Sequence, residues 1–297
     1  WYVRFPCEGP YFSILLVGED RDYARNGEAI DSEGRMDAVM LLVVPRRDRA
    51  ALLVSIPRDS LVKFPSGGRR RINSATALGG MDLARQVVSE LMGLDVHRHA
   101  SVNFAGFTEI VDAVGGVDIA VDRRMKYTDR AGGYSIDLEP GMYHMDGETA
   151  LSFVRYRHDA LGDISRTARQ QQFFRALLDE LASWRGIQSI KKIVKIAQDN
   201  TTTDLSAREM AAVGWRLRKL DSSALQSVTL PGHFQGAYWE PDYEAIHALV
   251  EPLGIRIAAE CFQRQGEVVE QVESVAVVGA EQPLGRGAEG MDDAGLV

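Results

Sequence analysis

Three short apolar runs near the start of the chain predict β-strands. They are Phe12–Val17, Ala38–Val44 and Ala51–Ile56, and each ends at a glycine or a proline. Apolar runs of this length between such breakers are typical of strands buried in a sheet. The polar residues 46–49 that separate the second run from the third are short enough to predict a hairpin turn.

Beyond these runs, strand patterns and helix patterns alternate along the chain. In the segment 79–93, Leu83, Val87 and Leu91 form an apolar helical stripe, and Gly93 is a plausible C-terminal stop. Further helices are predicted at residues 106–114, 147–153, 165–184, 187–198, 206–219 and 241–251, and further strands at residues 100–104, 117–121 and 134–138. Interleaved strands and helices indicate an α/β sheet covered by helices.

Length, composition and charge limit the classes of protein that fit. A chain of 297 residues with 45% hydrophobic and 26% charged residues suits one large globular domain or two small ones. The net charge of −8 argues against a protein that coats nucleic acid non-specifically. Residues 264–297 lose periodicity and gather Gly, Glu and Gln, which predicts a disordered tail.

The cellular compartment is not fixed by the cysteines or by any apolar segment. Cys7 and Cys261 are compatible with one disulfide and equally with two unpaired thiols. The sequence contains no run of 18 apolar residues, so no membrane-spanning helix is predicted within it. Because it begins with Trp1, we expect a processed or truncated start whose targeting segment is not visible.

Two carboxylates and an arginine lie at the ends of the first three predicted strands. Asp20 follows the first strand, Asp37 precedes the second and Arg58 follows the third. Antiparallel strands would bring all three to one edge of the sheet, whereas a parallel crossover through residues 18–37 would send Asp37 to the opposite edge. We favour the antiparallel arrangement because it gathers complementary charges. Two carboxylates suit Mg²⁺, although each aspartate by itself is more typical of a loop or a cap.

An arginine-rich stretch provides a second group of candidate residues. Arg155 and Arg157 lie in a segment predicted to be extended, so their side chains would point to the same face and bind one anion. Ser165 is a candidate cap for the next helix, whose N-terminus would favour phosphate. Three polar residues would lie on or near one side of its first turns, namely Arg166, Arg169 and Gln170. Alone, the stretch fits a solvated basic helix face at least as well.

In order and spacing, these segments resemble the core of the LytR–CpsA–Psr (LCP) family over roughly residues 11–185. The motifs that carry the resemblance are Leu16–Asp20, Arg35–Asp37, Ser55–Asp59, Arg71–Ala75, Val111–Val117, Leu138–Gly141, Asp146–Leu151 and the block from Arg155 to Gln170. The chain departs from the family pattern at Met36, where the family usually has Ser or Thr. It also departs at Asp22, where arginine is common.

The resemblance implies an α/β fold with a central mixed β-sheet flanked by helices. Residues 11–263 would form a single LCP-like catalytic domain after a lead-in of residues 1–10. The implied activity is Mg²⁺-dependent transfer of a glycopolymer from an undecaprenyl-pyrophosphate carrier to peptidoglycan. The implied location is the extracytoplasmic face of the bacterial membrane, with an anchor ahead of Trp1. The alternatives are a polyprenyl-pyrophosphate pyrophosphatase and a non-catalytic polyprenyl-lipid binding protein.

The resemblance also implies roles for individual residues. Asp20 and Asp37 would hold Mg²⁺, and Asp37 would act in catalysis with three arginines, Arg58, Arg155 and Arg157. The pyrophosphate would be bound by Arg35, Arg58, Arg155, Arg157 and Gln170, to which the arginine-rich helix adds Arg166. An apolar groove for the lipid tail is predicted between the sheet and the helices, opening beside Arg58 and Arg155.

Overall fold

A computed structural model describes residues 9–20, 35–46, 50–129, 134–156, 163–183, 192–193, 195–196, 201–218 and 225–253. Arg157, both cysteines, most of the predicted lead-in and the whole predicted tail lie outside these residues. At Asp20 and Arg35 the description covers the backbone only. All described residues belong to one compact unit.

The strands alternate with helices along the chain, as the sequence predicts. The strands are β1 (Tyr11–Asp20), β2 (Arg35–Pro45), β3 (Ala51–Ser55), β4 (Leu61–Lys63), β5 (Arg69–Arg71), β6 (Arg98–Val102), β7 (Val117–Val121), β8 (Met125–Asp129), β9 (Tyr134–Leu138), β10 (Gly141–Met145), β11 (Thr201–Thr203), β12 (Leu225–Thr229), β13 (Gly232–Gln235) and β14 (Tyr238–Pro241). The α-helices are α1 (Ala75–Met92), α2 (Phe104–Val114), α3 (Gly147–Arg155), α4 (Asp163–Ala182), α5 (Ala207–Arg218) and α6 (Tyr243–Val250), with 3-10 turns at Ile72–Ser74 and Glu251–Leu253.

Six strands form the central sheet in the order β11-β6-β1-β2-β3-β12. Neighbouring strands are antiparallel in the pairs β1–β2, β2–β3 and β6–β11. They are parallel in the pairs β1–β6 and β3–β12. The sheet is therefore mixed and flanked by helices, which confirms the predicted fold class.

Both faces of this sheet are apolar because its central strands are continuous apolar runs whose side chains alternate between the two faces. On one face, Leu15 and Leu41 pack in a cluster that includes residues of α1 and α6. On the other face, Ile14 and Leu42 pack in a cluster with Val213 of α5 and with residues of α4. A third cluster joins the strand pairs β7–β10 and β8–β9 to the helices α2, α3 and α4.

Most predicted boundaries agree with the structure to within a few residues. Helix α1 ends at Gly93, whose positive φ of 63° is readily adopted by glycine. The predictions located β1, β2, β3, β6, β7 and β9 and missed the other strands named above. Strand β10 was missed because the turn signal at residues 139–141 is followed at once by a strand that pairs with β7. Of the predicted helix 187–198, only residues 192–193 and 195–196 are described, and they are helical.

Candidate active site

The edge of the sheet where β1 ends brings the first group of candidate residues together. Strands β1 and β2 are antiparallel, so the Cα of Asp20 lies opposite that of Arg35. The register shifts here, because Gly18 pairs with Ala38 while Glu19 pairs with Met36. Asp37 is therefore the extra residue of a β-bulge. Bulges commonly re-aim a side chain next to an active site.

Asp37 and Arg58 form an ion pair at this edge, although 21 positions separate them. Arg58 Nη1 donates a hydrogen bond of 2.8 Å to Asp37 Oδ1, and the two side chains are 28% and 30% exposed. Arg58 Nε also lies 3.5 Å from the carboxylate of Asp59. The predicted antiparallel arrangement and the predicted approach of Asp37 to Arg58 are thus confirmed.

Arg155 reaches the site from a helix, and the prediction of an extended segment was wrong. Asp146 caps α3 by accepting a hydrogen bond of 2.9 Å from the Thr149 amide. Ala150, Phe153 and Val154 are buried at helical spacing, so the helix continues through Arg155 in its last turn. The argument that placed Arg155 and Arg157 on one face by strand alternation therefore fails.

Helix α3 is positioned by its close contact with α2. A side chain at Gly147 would bring a Cβ within 2.4 Å of the Thr108 carbonyl oxygen, so only glycine allows the two helices to approach this closely. The Gly147 amide also donates a hydrogen bond of 2.8 Å to Asp112. At the other end of α3, the Arg155 guanidinium lies 4.3 Å from the ring centroid of Phe104, the first residue of α2.

Two arginines of helix α4 have different surroundings. It begins at Asp163, so Ser165 lies in its first turn and not at the predicted cap. Arg166 is 3% exposed and lines a cavity together with Gln170, one turn later. Arg169 instead donates a hydrogen bond to the Tyr156 carbonyl, with its guanidinium 5.3 Å from the Tyr156 ring. Arg169 thus holds the residue that follows Arg155.

A cavity of about 530 Å³ lies between the central sheet and the helices α2, α3 and α4. Its polar lining includes the candidate residues Asp37, Arg155, Arg166 and Gln170, together with Asn103 and Tyr127. Its apolar lining includes Leu16, Met40, Ala100, Val102, Phe104, Phe107, Ile110, Leu151, Phe173, Phe174 and Leu177. A space lined in this way accepts a ligand with an anionic head and an apolar tail. The cavity lies between sheet and helices as predicted and is lined by Arg155, whereas Arg58 is not among its lining residues and contacts it through Asp37.

The chemistry of the sheet edge fits a hard divalent cation. Among the described residues, no group of three or more His, Cys, Asp or Glu side chains is placed to hold a metal. Mg²⁺ needs fewer protein ligands, because it keeps waters and binds substrate phosphates beside one or two carboxylates. Asp37 supplies one carboxylate at the cavity, and Asp20 lies on the neighbouring strand two positions beyond the pairing partner of Ala38.

Sequence reasoning missed Phe104, whose ring lies against the Arg155 guanidinium. Asn103 caps α2 by accepting a hydrogen bond of 2.8 Å from the Gly106 amide, and this fixes the first turn of the helix. Phe104 follows the cap directly and lines the cavity. The asparagine cap was a usable sequence signal for the start of α2. Nothing in the sequence indicated that the Phe104 ring contacts Arg155.

Comparisons with known proteins show which proteins this chain resembles. A model of the LytR_cpsA_psr family matches residues 8–253. The chain is 31% identical over 242 residues to the polyisoprenyl-teichoic acid–peptidoglycan teichoic acid transferase TagV of Bacillus subtilis, a match covering 78% of this chain and 61% of that protein. It is 39% identical over 177 residues to the probable cell wall biosynthesis protein LcpB of Corynebacterium glutamicum, covering 57% and 42%. The chain thus spans less than two thirds of these relatives.

Solved structures show the same fold. The crystal structure of Bacillus subtilis TagV superimposes with a TM-score of 0.69 at 27% identity, covering 83% of this chain and 97% of that one. A structure of TagT bound to LI-WTA superimposes with a TM-score of 0.66 at 26% identity, covering 85% and 94%. The mixed sheet with its flanking helices is therefore an architecture that these proteins share.

Proposed function

The chain belongs to the LytR–CpsA–Psr family, and from this membership we propose that it is a phosphotransferase that moves a glycopolymer from an undecaprenyl-pyrophosphate carrier to peptidoglycan. The names of its relatives describe transfer of teichoic acid from a polyisoprenyl carrier to peptidoglycan. Among glycopolymers, teichoic acid is therefore the first candidate. The observation that carries the proposal is the apolar cavity whose polar lining includes Asp37, Arg155 and Arg166.

The shape and chemistry of this cavity favour an amphiphilic substrate. A soluble phosphate ester needs charged partners but no apolar chamber, and a simple lipid needs the chamber but no buried arginine. Arg166 is 3% exposed and lines the cavity, so an anionic group bound there would lie beside its guanidinium. A pyrophosphate joined to a polyprenyl chain uses both parts of the lining.

The proposed reaction is an in-line displacement at the phosphorus nearest the sugar. An acceptor hydroxyl of peptidoglycan forms a new P–O bond and releases its proton to solvent. The bond from that phosphorus to the bridging oxygen breaks, and undecaprenyl phosphate leaves with the bond electrons. In such transfers the protein mainly positions the groups and stabilises charge. Arg58 and Arg155 would bind the equatorial oxygens, joined by Arg35, Arg157, Arg166 and Gln170.

Asp37 and Asp20 would hold the Mg²⁺ that neutralises charge on the pyrophosphate. The donor set fits this ion because hard carboxylate oxygens beside substrate phosphates are its preferred ligands. The hydrogen bond from Arg58 to Asp37 keeps the carboxylate oriented at the cavity. Arg58 can therefore both orient this carboxylate and contact the substrate through its other nitrogen atoms.

The proposed location follows from the two substrates. A polyprenyl carrier lies in the membrane and peptidoglycan lies outside it, so we place the protein at the extracytoplasmic face, anchored by a helix ahead of Trp1. In the described part of the chain, no helix has the length and apolar character needed to cross a bilayer. Expression of the full gene product followed by membrane fractionation and external protease treatment checks the location.

The test of the function is a transfer assay with a lipid-linked donor and peptidoglycan acceptor, with and without a chelator. Asp37→Ala and Asp20→Ala should abolish transfer while leaving the thermal unfolding unchanged, since both residues lie at the sheet edge. Asp82→Ala is the matched control, because its side chain is 94% exposed on α1. Activity that survives both the chelator and Asp37→Ala contradicts the metal assignment.

The same assay separates the two alternatives. Phosphate products formed at equal rates without peptidoglycan would identify a pyrophosphatase that uses water as the acceptor. Stable binding of the lipid without turnover would identify a carrier. The charged residues at the cavity favour catalysis over carriage, because a carrier has no need for a carboxylate held by an arginine at the lipid head.

A further inference from the structure

Two β-hairpins form one continuous surface beside Arg58. Strands β4 and β5 pair antiparallel, and so do β13 and β14. A β-bridge between Ser60 and Trp239 joins the two hairpins, and the Trp239 amide donates a hydrogen bond of 3.1 Å to the Asp59 carbonyl. The surface therefore begins at the residue that follows Arg58.

The two faces of this surface differ. On the inner face, Val62 is 1% exposed and packs in the core, against which Trp239 also packs. Alternation along the strands sends their neighbours to the outer face. We call the outer group the hairpin platform, and it consists of Lys63, Arg69, Arg71, Tyr238 and Glu240. Two contacts confirm the shared face: the ion pair between Arg69 and Glu240, and the Arg71 guanidinium 4.9 Å from the Tyr238 ring centroid.

A chain of ion pairs connects the hairpin platform to the candidate active site. Asp37 bonds Arg58 at 2.8 Å, Arg58 lies 3.5 Å from Asp59, and Asp59 lies 3.4 Å from Arg71. Asp37 lines the lipid cavity, whereas no platform residue does. This series of ion pairs thus runs from the proposed pyrophosphate position away from the cavity and onto an exposed surface.

The chemistry of the platform suits a sugar chain better than a row of phosphates. Tyr238 is 40% exposed and offers an aromatic face for the C–H groups of a sugar ring. Glu240 and Asp59 compensate two of the three basic charges, which leaves the surface only weakly positive. Paired guanidinium and carboxylate groups can donate to and accept from hydroxyl and amide groups, but they attract a polyanion weakly.

We propose that the hairpin platform binds the glycan strand of the acceptor, an amino-sugar polymer, and delivers its hydroxyl to the phosphorus. The proposal rests on the proposed function. In an in-line transfer the attacking and leaving oxygens lie on opposite sides of the phosphorus. The lipid phosphate leaves on the side of the phosphorus that faces the cavity. The acceptor hydroxyl therefore approaches from the opposite side, outside the cavity. The platform lies outside the cavity and is connected to Arg58.

The experiment compares platform variants with inner-face controls in the full chain. Tyr238→Ala and Lys63→Gln change the platform. Phe234→Ala and Arg70→Gln remove an exposed aromatic ring and a positive charge from the other face, where Phe234 is paired with Trp239 and Arg70 with Val62. Thermal unfolding checks that each variant folds.

Two measurements are made on each protein. The first is co-sedimentation with purified peptidoglycan sacculi from which attached polymers have been stripped. The second is the KM for peptide-free glycan strands as acceptor in the transfer assay. Tyr238→Ala should raise the acceptor KM about tenfold, as expected for a central aromatic contact, and should weaken co-sedimentation. Lys63→Gln should have an effect of about twofold. The donor KM and both controls should stay at the wild-type value.

Each contrary outcome is distinct. If the wild type does not sediment with sacculi, or if Tyr238→Ala behaves as Phe234→Ala, the proposal is wrong. If Tyr238→Ala raises the donor KM and leaves the acceptor KM unchanged, the platform serves the donor polymer and the assignment to the acceptor is overturned. Because co-sedimentation requires no turnover, loss of binding in Tyr238→Ala supports the platform even if the wild type transfers nothing and the proposed function fails.

Discussion

The two faces of the central sheet are similar in chemistry but are covered differently. On the packed face, Leu15 and Leu41 have no exposed surface and lie in the core with α1 and α6. On the open face, their neighbours Leu16 and Met40 line the cavity. Strand alternation sends adjacent apolar residues to opposite faces. The cavity is therefore a property of the layer that covers the sheet and not of the strands themselves.

The same division explains one departure from the family pattern. Met36, which occupies the usual Ser or Thr position, has no exposed surface and belongs to the cluster on the packed face. Asp37, the next residue, is the bulged residue and lines the cavity. The side chain at position 36 therefore points away from the open face, so the loss of a hydroxyl there leaves the polar lining of the cavity unchanged.

The largest expected effect comes from removing charge on the open face. Arg155→Ala should lower kcat/KM for transfer by about 10³-fold, because it removes a cation that stabilises the transferring phosphoryl group. Arg124→Ala is the control, since that arginine pairs with Asp137 and does not line the cavity. The measurement is steady-state transfer with saturating Mg²⁺. Equal activity of the two variants would remove Arg155 from the site.

A second prediction compares adjacent residues of β2 directly. Leu41→Ala should lower the free energy of unfolding by about 3 kcal/mol, since it leaves a cavity in the packed face. Met40→Ala should cost much less, because its side chain already borders open space. Urea unfolding of both variants provides the measurement. Similar losses for the two would mean that the open face is packed as tightly as the other.

The third prediction concerns the ring that lies against Arg155. Phe104→Leu should weaken binding of a short, soluble polyprenyl-pyrophosphate analogue about fivefold, because the cation–π contact is lost. Phe104→Tyr should restore binding. Phe107→Leu is the matched control, since Phe107 also lines the cavity but stacks on Phe173. If Phe107→Leu weakens binding of the short analogue as much as Phe104→Leu does, the effect comes from cavity volume and not from the contact with Arg155.

The smallest expected effect is a pH dependence of stability that comes from His97. This residue contacts Ser13 at the end of β1 that lies away from the active site. Burial lowers the pKa of His97 below its ordinary value of 6.5, against the opposing charge of Asp95. The folded state thus favours the neutral ring, whose Nδ1 accepts a hydrogen bond from the Ser13 amide. This stabilisation is complete above pH 6.5 and is lost as the pH falls below that value.

The pH dependence of unfolding checks this prediction. The free energy of unfolding should decrease from pH 6.5 downward, and His97→Gln should flatten part of the slope. A part should remain, because burial also lowers the pKa of His99. A slope that is unchanged in His97→Gln would show that the ring does not titrate differently in the folded and unfolded states.

The strands and the first group of site residues were readable because their signals are local. Short apolar runs that end at Gly or Pro located β1, β2 and β3. Once these strands were taken as antiparallel, the positions of Asp20, Asp37 and Arg58 at strand ends predicted a shared edge. The structure confirms the pairing and the contact between Asp37 and Arg58. The roles of these residues in metal and pyrophosphate binding remain predictions.

The error at Arg155 has a specific physical cause. Val154 and Tyr156 alternate with Arg155 and Arg157, and this short alternation resembles a strand when the segment is taken alone. The capped start at Asp146 and the helical spacing of Ala150, Phe153 and Val154 outweigh that short pattern. A helix that begins with a good cap continues through a few ambiguous positions, because each further residue adds a hydrogen bond at little entropic cost.

The sequence by itself determined the α-helices, the strands β1, β2, β3, β6, β7 and β9, the α/β class and the identity of the charged residues, because hydrophobic period, breakers and motifs act over a few positions. Only the tertiary structure decided which apolar face stays open, why Arg166 lines the cavity while Arg169 holds Tyr156, and how Arg71 meets Tyr238. Those outcomes depend on contacts between residues far apart in the chain. Their geometry is fixed by how the helices and hairpins pack, and no local pattern encodes it.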